Sequence, residues 1–257
     1  ALTTNQVQAL TETQVKVLST STVAGLNTTQ ASVLTSKQLS AFSTSQINSL
    51  SSTTVSKLGT SQVAALNVLQ IGALTTAAVN AMSTSQVQAL TVSQFKSLST
   101  GAVAALTTSQ VGALTTAQAA VLSADSVGAL STASVAALSS SQVKAMTKEA
   151  VTAFTTAQVQ ALSTAAVAAL SSAQVSTLNS SEVALLSTAQ IKALDTTQVK
   201  ALTAEGLSAF NTAQMAILTT SQVSSLTAAQ VKLLTTVQVA ALATSNVKAL
   251  TSSQIAA

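Results

Sequence analysis

After Ala1 the chain repeats one eight-residue phrase 32 times, without an insertion, a deletion or a proline. A short, strict period limits the fold more than any single motif. Each copy is too small to bury its own apolar residues, so it must bury them against other copies. Residues 106–113, LTTSQVGA, are one copy, and Leu106 defines position 1. Position 1 is Leu in 27 octads, with Phe42, Met82, Met146, Phe154 and Phe210 in the rest. Position 2 is Ser, Thr, Asn or Asp in 30 octads; Gly59 and Ala243 are the exceptions. Position 5 is Gln in 21, position 6 is Val in 22 and position 8 is Ala in 20.

Two regular conformations fail against this pattern. In a continuous helix eight residues turn through about 800°, so the leucines would overshoot by about 80° per octad and spiral around the axis. In a strand, position 1 and positions 6 and 8 would face opposite sides. A β-solenoid with corners could bend around that conflict, but Val has little alternation around it.

A third reading accounts for nearly every position. Ser, Thr, Asn and Asp are the residues preferred at a helix N-cap. With the cap at position 2, Gln at position 5 completes a capping box, in which each side chain satisfies the other residue's backbone N–H. The apolar residues at positions 1 and 6 then form the hydrophobic staple that flanks such a start. Leu106 and Val111 are one staple, Thr107 and Gln110 are one capping box, and Leu114 opens the next octad. The charges sort the same way. Glu12, Asp125, Glu149, Glu182, Asp195 and Glu205 all fall at positions 2 to 5. Seven lysines, Lys16, Lys96, Lys144, Lys192, Lys200, Lys232 and Lys248, fall at position 7. Acids at the start and cations at the end of each helix suit the helix macrodipole.

The expected fold is therefore all-α: a solenoid or superhelix of about 32 very short helices, one per octad. It runs over 1–257 as a single array with no internal boundary. Isolated helices below about 12 residues are marginal in water, so stability must come from stacking between repeats. Either two or three helices per layer satisfies the pattern. Ala31 and Ala119 are the only alanines at position 6, and their octads carry Val33 and Val121 two residues later. Volume kept constant in this way is what a packed core tolerates. Lys57 occupies the usual Ala position and is expected to extend its ammonium to water. Val68 and Leu69 place apolar groups where most octads are polar, and form a candidate contact patch.

Composition excludes several function classes. With no His, Cys or Tyr and six scattered carboxylates, the chain lacks the tunable groups that catalysis uses. The reading is of a non-enzyme without cofactor or metal. A formal charge of +4 spread over 257 residues predicts neither nucleic-acid binding nor attraction to a membrane surface. Polar residues in every octad leave no run of about 18 apolar residues, so no membrane insertion is expected.

LTTSQV resembles the helix start that opens each repeat of the transcription-activator-like effectors. The second helix and base-reading loop of those repeats have no counterpart here, so the resemblance implies no DNA binding. A resemblance along the whole chain is to octapeptide tracts, L-T-T-x-Q-V-x-A, of very large low-complexity bacterial surface and secreted proteins. FTTAQVQAL at 154–162 carries it. It implies an extracellular or cell-surface location and a spacer or filament role through self-association, as in a bacterial filament or the stalk of a giant adhesin. The alternative expectation is a binding module that presents a regular Ser/Thr surface to a polymer, ice or a partner protein.

Overall fold

The computed structural model describes residues 2–257. Among them every octad forms one α-helix of four to six residues, from Thr4–Ala9 to Ser252–Ile255, 32 in all, and there is no β-strand. The all-α solenoid expected from the period is the fold observed.

Local chemistry explains both ends of each helix. The position-2 residue is extended, as at Thr107 with φ −67° and ψ 158°, and its hydroxyl accepts from the Gln110 N–H. Only the helices that follow Gly59 and Ala243 lack a side-chain cap. The far end uses no left-handed residue: among the described residues no backbone has positive φ. In the six-residue helices the C-cap is position 1 in extended geometry, as at Leu10 with φ −62° and ψ 133°, and in most of the shorter ones it is position 8 in right-handed helical geometry, as at Val17 with φ −94° and ψ 0°. The position-1 N–H still reaches back to the position-6 carbonyl, 3.3 Å from Leu10 to Val7. Two consecutive extended residues, one apolar and one capping, therefore replace the glycine that commonly ends a helix. This is why the chain turns from each helix into the next with only seven glycines and no proline.

Backbone contacts group the chain into two compact units, Ala1–Leu122 and Ser123–Ala257. In the first, Ser52–Ser56 packs on Thr76–Ala81, and Thr20–Ala24 on Thr44–Ser49. In the second, Thr132–Ala136 packs on Thr156–Ala161, and Thr164–Ala168 on Thr188–Ala193. Each partner is the third helix along. Within each unit one superhelical turn is three octads, which resolves the choice between two and three helices per layer.

The core of each unit is built from positions 1 and 6. Leu106 and Leu114 are 4% and 5% exposed, and Val111 is 0% exposed. One detail departs from expectation. Val33 and Val121 are half-buried rather than in the core. The helix with Ala119 instead packs on Val92–Lys96, one turn earlier, where Phe95 takes position 6 and is buried. A large residue on one of these packed helices and a small one on the other keep the volume of that layer roughly constant. Lys57 is exposed, as its snorkelling requires.

Candidate functional site: the inter-turn glutamine ladder

The position-5 glutamines are the most specialised side chains in the molecule. Each uses its carbonyl oxygen locally. The Thr107 N–H donates to Gln110 Oε1 at 2.7 Å, and Thr107 Oγ1 accepts from the Gln110 N–H at 3.2 Å. This is the capping box read from the sequence. The amide nitrogen does something else. Gln110 Nε2 donates to the carbonyls of Val79 at 3.0 Å and Met82 at 2.6 Å, about one turn back along the chain.

The same register recurs. Gln38 Nε2 donates to Val7 and Leu10, at 3.0 and 2.7 Å. Gln70 reaches Leu39, Ser40 and Phe42, at 2.9, 3.3 and 2.7 Å. In the second unit Gln158 reaches Val127 and Leu130, and Gln222 reaches Ile191 and Leu194. Apart from that of Ser40, these carbonyls lie at position 6, which also accepts the position-1 N–H, and on position 1 itself, beyond the helix's own i→i−4 bonds. One carboxamide therefore closes the start of its own helix and the end of a helix in the preceding turn. The ladder is buried: Gln70, Gln86 and Gln110 are each 1% exposed. Among the described residues no buried side-chain N or O lacks a partner.

Shorter side chains at position 5 keep part of the bond. Thr54 Oγ1 donates to the Leu26 carbonyl at 3.1 Å, and Asn246 Nδ2 to Leu218 at 2.6 Å. A second set runs the other way from position 7. Ser40 Oγ donates to the Ala65 carbonyl at 2.8 Å and Gln88 Nε2 to Ala113 at 2.7 Å.

Glu182 is the one acid in the ladder. It keeps the local box: the Asn179 N–H donates to its Oε2 at 2.8 Å, and Asn179 Oδ1 accepts from the Glu182 N–H at 3.0 Å. The register that sets Gln174 on Val143 and Met146 would bring a glutamine at this position to the carbonyls of Val151 and Phe154. A carboxylate has no proton to donate there. Burial raises the Glu182 carboxyl above the ordinary carboxylate value, opposed by hydrogen bonds from Asn179. A raised folded-state value means that stability is fully present below the unfolded carboxyl range and falls as pH rises through the folded value. Glu182→Gln is expected to stabilise the chain by about 1–2 kcal/mol at neutral pH through the regained donors. The gain should shrink in acid, below the carboxyl range, where the glutamate is protonated. Urea denaturation of both proteins under the two conditions measures the difference.

Asp195, an exposed N-cap, behaves oppositely. Hydrogen bonds from Thr197 Oγ1 and the Gln198 N–H hold its carboxyl below the usual range. Val68 and Leu69, the candidate contact patch, are 42% and 71% exposed. Val92 is also exposed and lies three octads beyond Val68, one turn on along the same ridge. Among the described residues, no group of three or more His, Cys, Asp or Glu is placed to hold a metal ion. No helix there is long and apolar enough to cross a membrane.

The sequence profile of the ALTTAQ repeat matches residues 63–100, 93–124, 124–156 and 151–180. This is a tandem-repeat protein. The hexapeptide ALTTAQ itself stands at 113–118, where it supplies the staple residue Leu114, the cap Thr115 and the ladder residue Gln118. Gln118 bonds the Thr115 N–H and the carbonyls of Val87 and Leu90. On this structure, the ALTTAQ phrase contains a helix start together with the donor that ties the helix to the turn before it. No curated protein matches the chain.

Proposed function

We propose that the chain is a structural protein, a subunit or segment of a bacterial extracellular filament or of a giant adhesin stalk. The observation that supports this is the translational equivalence of the ladder. Within each unit, successive turns are joined by the same amide-to-helix-end bonds, as Gln70 bonds Leu39 and Phe42 and Gln158 bonds Val127 and Leu130, so turns of this kind can be added without a new kind of contact. Strength comes from repetition of a modest bond, worth about 0.5–1.5 kcal/mol net each. The Ser and Thr hydroxyls at position 2 are occupied as caps, which disfavours the reading of a Ser/Thr recognition surface.

Electron microscopy of the purified chain over a range of concentrations, with sedimentation velocity alongside, tests this reading. Uniform fibres that lengthen with concentration are the expected result. A chain that stays monomeric at every concentration would overturn it.

A further inference from the structure

Three octads per superhelical turn give each unit three edges, and at every edge the chain turns from one helix into the next. Position 8 before the turn and positions 2 to 4 after it flank the edge. With octads counted from Leu2, octads 9 and 12 begin at Leu66 and Leu90, and octads 24 and 30 at Leu186 and Leu234. Among the described residues outside the first and last turns, the exposed large apolar side chains are Val68, Leu69 and Val92 in the first unit and Leu185 and Leu233 in the second. Val68 and Leu69 are positions 3 and 4 of octad 9, and Val92 is position 3 of octad 12. Leu185 and Leu233, 45% and 44% exposed, stand at position 8 immediately before octads 24 and 30. In each unit all of them fall on one edge, the one at which octads numbered by multiples of three begin.

Charge is sorted the opposite way. At positions 8 and 2 to 4 the first unit carries Glu12, Lys37 and Lys57, and the second carries Asp125, Lys148, Glu149, Asp195 and Glu205. Every one of them lies on the other two edges. The apolar edge has no charged residue at these positions in either unit, and Thr, Val or Ser fills position 3 at every turn of it. The lysines nearest to it in sequence, Lys16 and Lys232, are at position 7, inside the helix before the turn. An uncharged edge can be covered without stripping water from an ion, whereas covering Lys57 or Asp125 cannot. Each unit offers only two or three exposed Leu or Val side chains on this edge. A stable protein contact buries at least roughly 1,200 Å² in total, so a partner that grips one spot gains little. The partner has to follow the edge from turn to turn at the spacing of the repeat, and has to be uncharged there itself. The same edge of a second copy meets both requirements.

We propose that the edge carrying Val68, Leu69 and Val92 in the first unit, and Leu185 and Leu233 in the second, is a lateral docking surface for the same edge of a second copy of this chain. This rests on the reading of the chain as a self-associating structural protein, and specifies the surface through which copies pair. Both halves of the contact are the same surface, so it is isologous and closes at two chains. No ion pair holds it, so pairing persists at high salt, where contacts between charged edges are screened.

Leu69→Lys with Leu185→Lys tests it. The repeat already carries lysine at both positions, Lys37 at position 4 and Lys57 at position 8, so the variant is expected to fold, and circular dichroism matching the unsubstituted chain checks this. Thr53→Lys with Ala169→Lys places the same charges at positions 4 and 8 of another edge and serves as the control. Sedimentation velocity over a range of concentrations is expected to show pairing of the unsubstituted chain and of the control, in low and in high salt, with particles of double width in electron microscopy. The edge variant should pair at least about tenfold more weakly, since like charges across a contact oppose it. Leu69→Ser with Leu185→Ala, residues found at these positions in Ser93 and Ala209, should weaken pairing without adding charge. If the unsubstituted chain pairs and the edge variants pair equally well, copies meet elsewhere, and this inference fails while the structural reading stands. Pairing that is lost in high salt puts the charged edges in the contact and overturns it too, as do bundles wider than two chains. Co-sedimentation of the unsubstituted chain with phosphatidylcholine vesicles, abolished in the edge variant, makes lipid the occupant and also overturns it. If the unsubstituted chain never associates, the proposed function falls together with this inference.

Discussion

Replacing Gln70 by glutamate is expected to lower stability by about 3 kcal/mol at neutral pH, the upper end of what losing buried hydrogen bonds costs. Gln70 is 1% exposed and donates to three carbonyls, those of Leu39, Ser40 and Phe42. Glutamate satisfies the capping box as well as glutamine does, so the local helix start is preserved. The loss falls on the inter-turn bonds: their donors disappear, and a carboxylate is left against carbonyl oxygens in a buried site. Breaking hydrogen bonds to buried partners costs roughly 1–3 kcal/mol, and burying an unpaired charge adds to it until the group takes up a proton instead. Much of the stability should therefore return below about pH 4, where the carboxyl becomes a donor again. Gln70→Leu removes the bonds without adding charge, so its loss should be smaller and nearly independent of pH. Hydrogen exchange at the amides of the helices Ser36–Ala41 and Val68–Gly72 localises the effect, because a repeat array opens locally. Equal losses for the two variants with no pH dependence would contradict the ladder.

This result separates what could be read in the sequence from what could not. The helix start is a short-range device. Its cap, box and staple all lie within one octad, so Leu106, Thr107, Gln110 and Val111 declared it in full. The inter-turn bond joins octads a full turn apart, as Gln70 joins Leu39 and Phe42, and the number of octads per turn cannot be obtained from one octad. One trace of it was present: position 5 holds 21 glutamines and a single glutamate, although a capping box accepts either. That bias is the signature of an amide nitrogen in use. Val68 and Leu69 were legible as surface residues because an apolar side chain at a first-turn position of a capped helix points away from the staple. The pairing of Phe95 with Ala119 was not legible, because the two stand three octads apart and nothing in their own octads connects them.

That pairing yields the largest stability change expected from a single substitution. Phe95→Ala should cost about 3–5 kcal/mol, the usual range for removing a buried aromatic side chain. The side chain is 2% exposed and its helix packs on the one that carries Ala119, itself 0% exposed. Two alanines would then meet at position 6 in adjacent turns, leaving a cavity between them. Position 6 is normally Val, so the array also predicts a specific repair. Ala119→Val alone should overpack against Phe95 and cost about 1–3 kcal/mol. Phe95→Val alone should leave a cavity and cost a similar amount. Combined, the two restore the common Val-on-Val stacking, and the double variant should be more stable than either single variant. Denaturant unfolding of the four proteins gives the coupling energy, which should be at least about 1 kcal/mol for directly stacked residues. Additive losses would show that Phe95 and Ala119 are packed independently. The cross-turn core would then be a set of separate layers, and the three-octad register would act through the glutamine ladder alone.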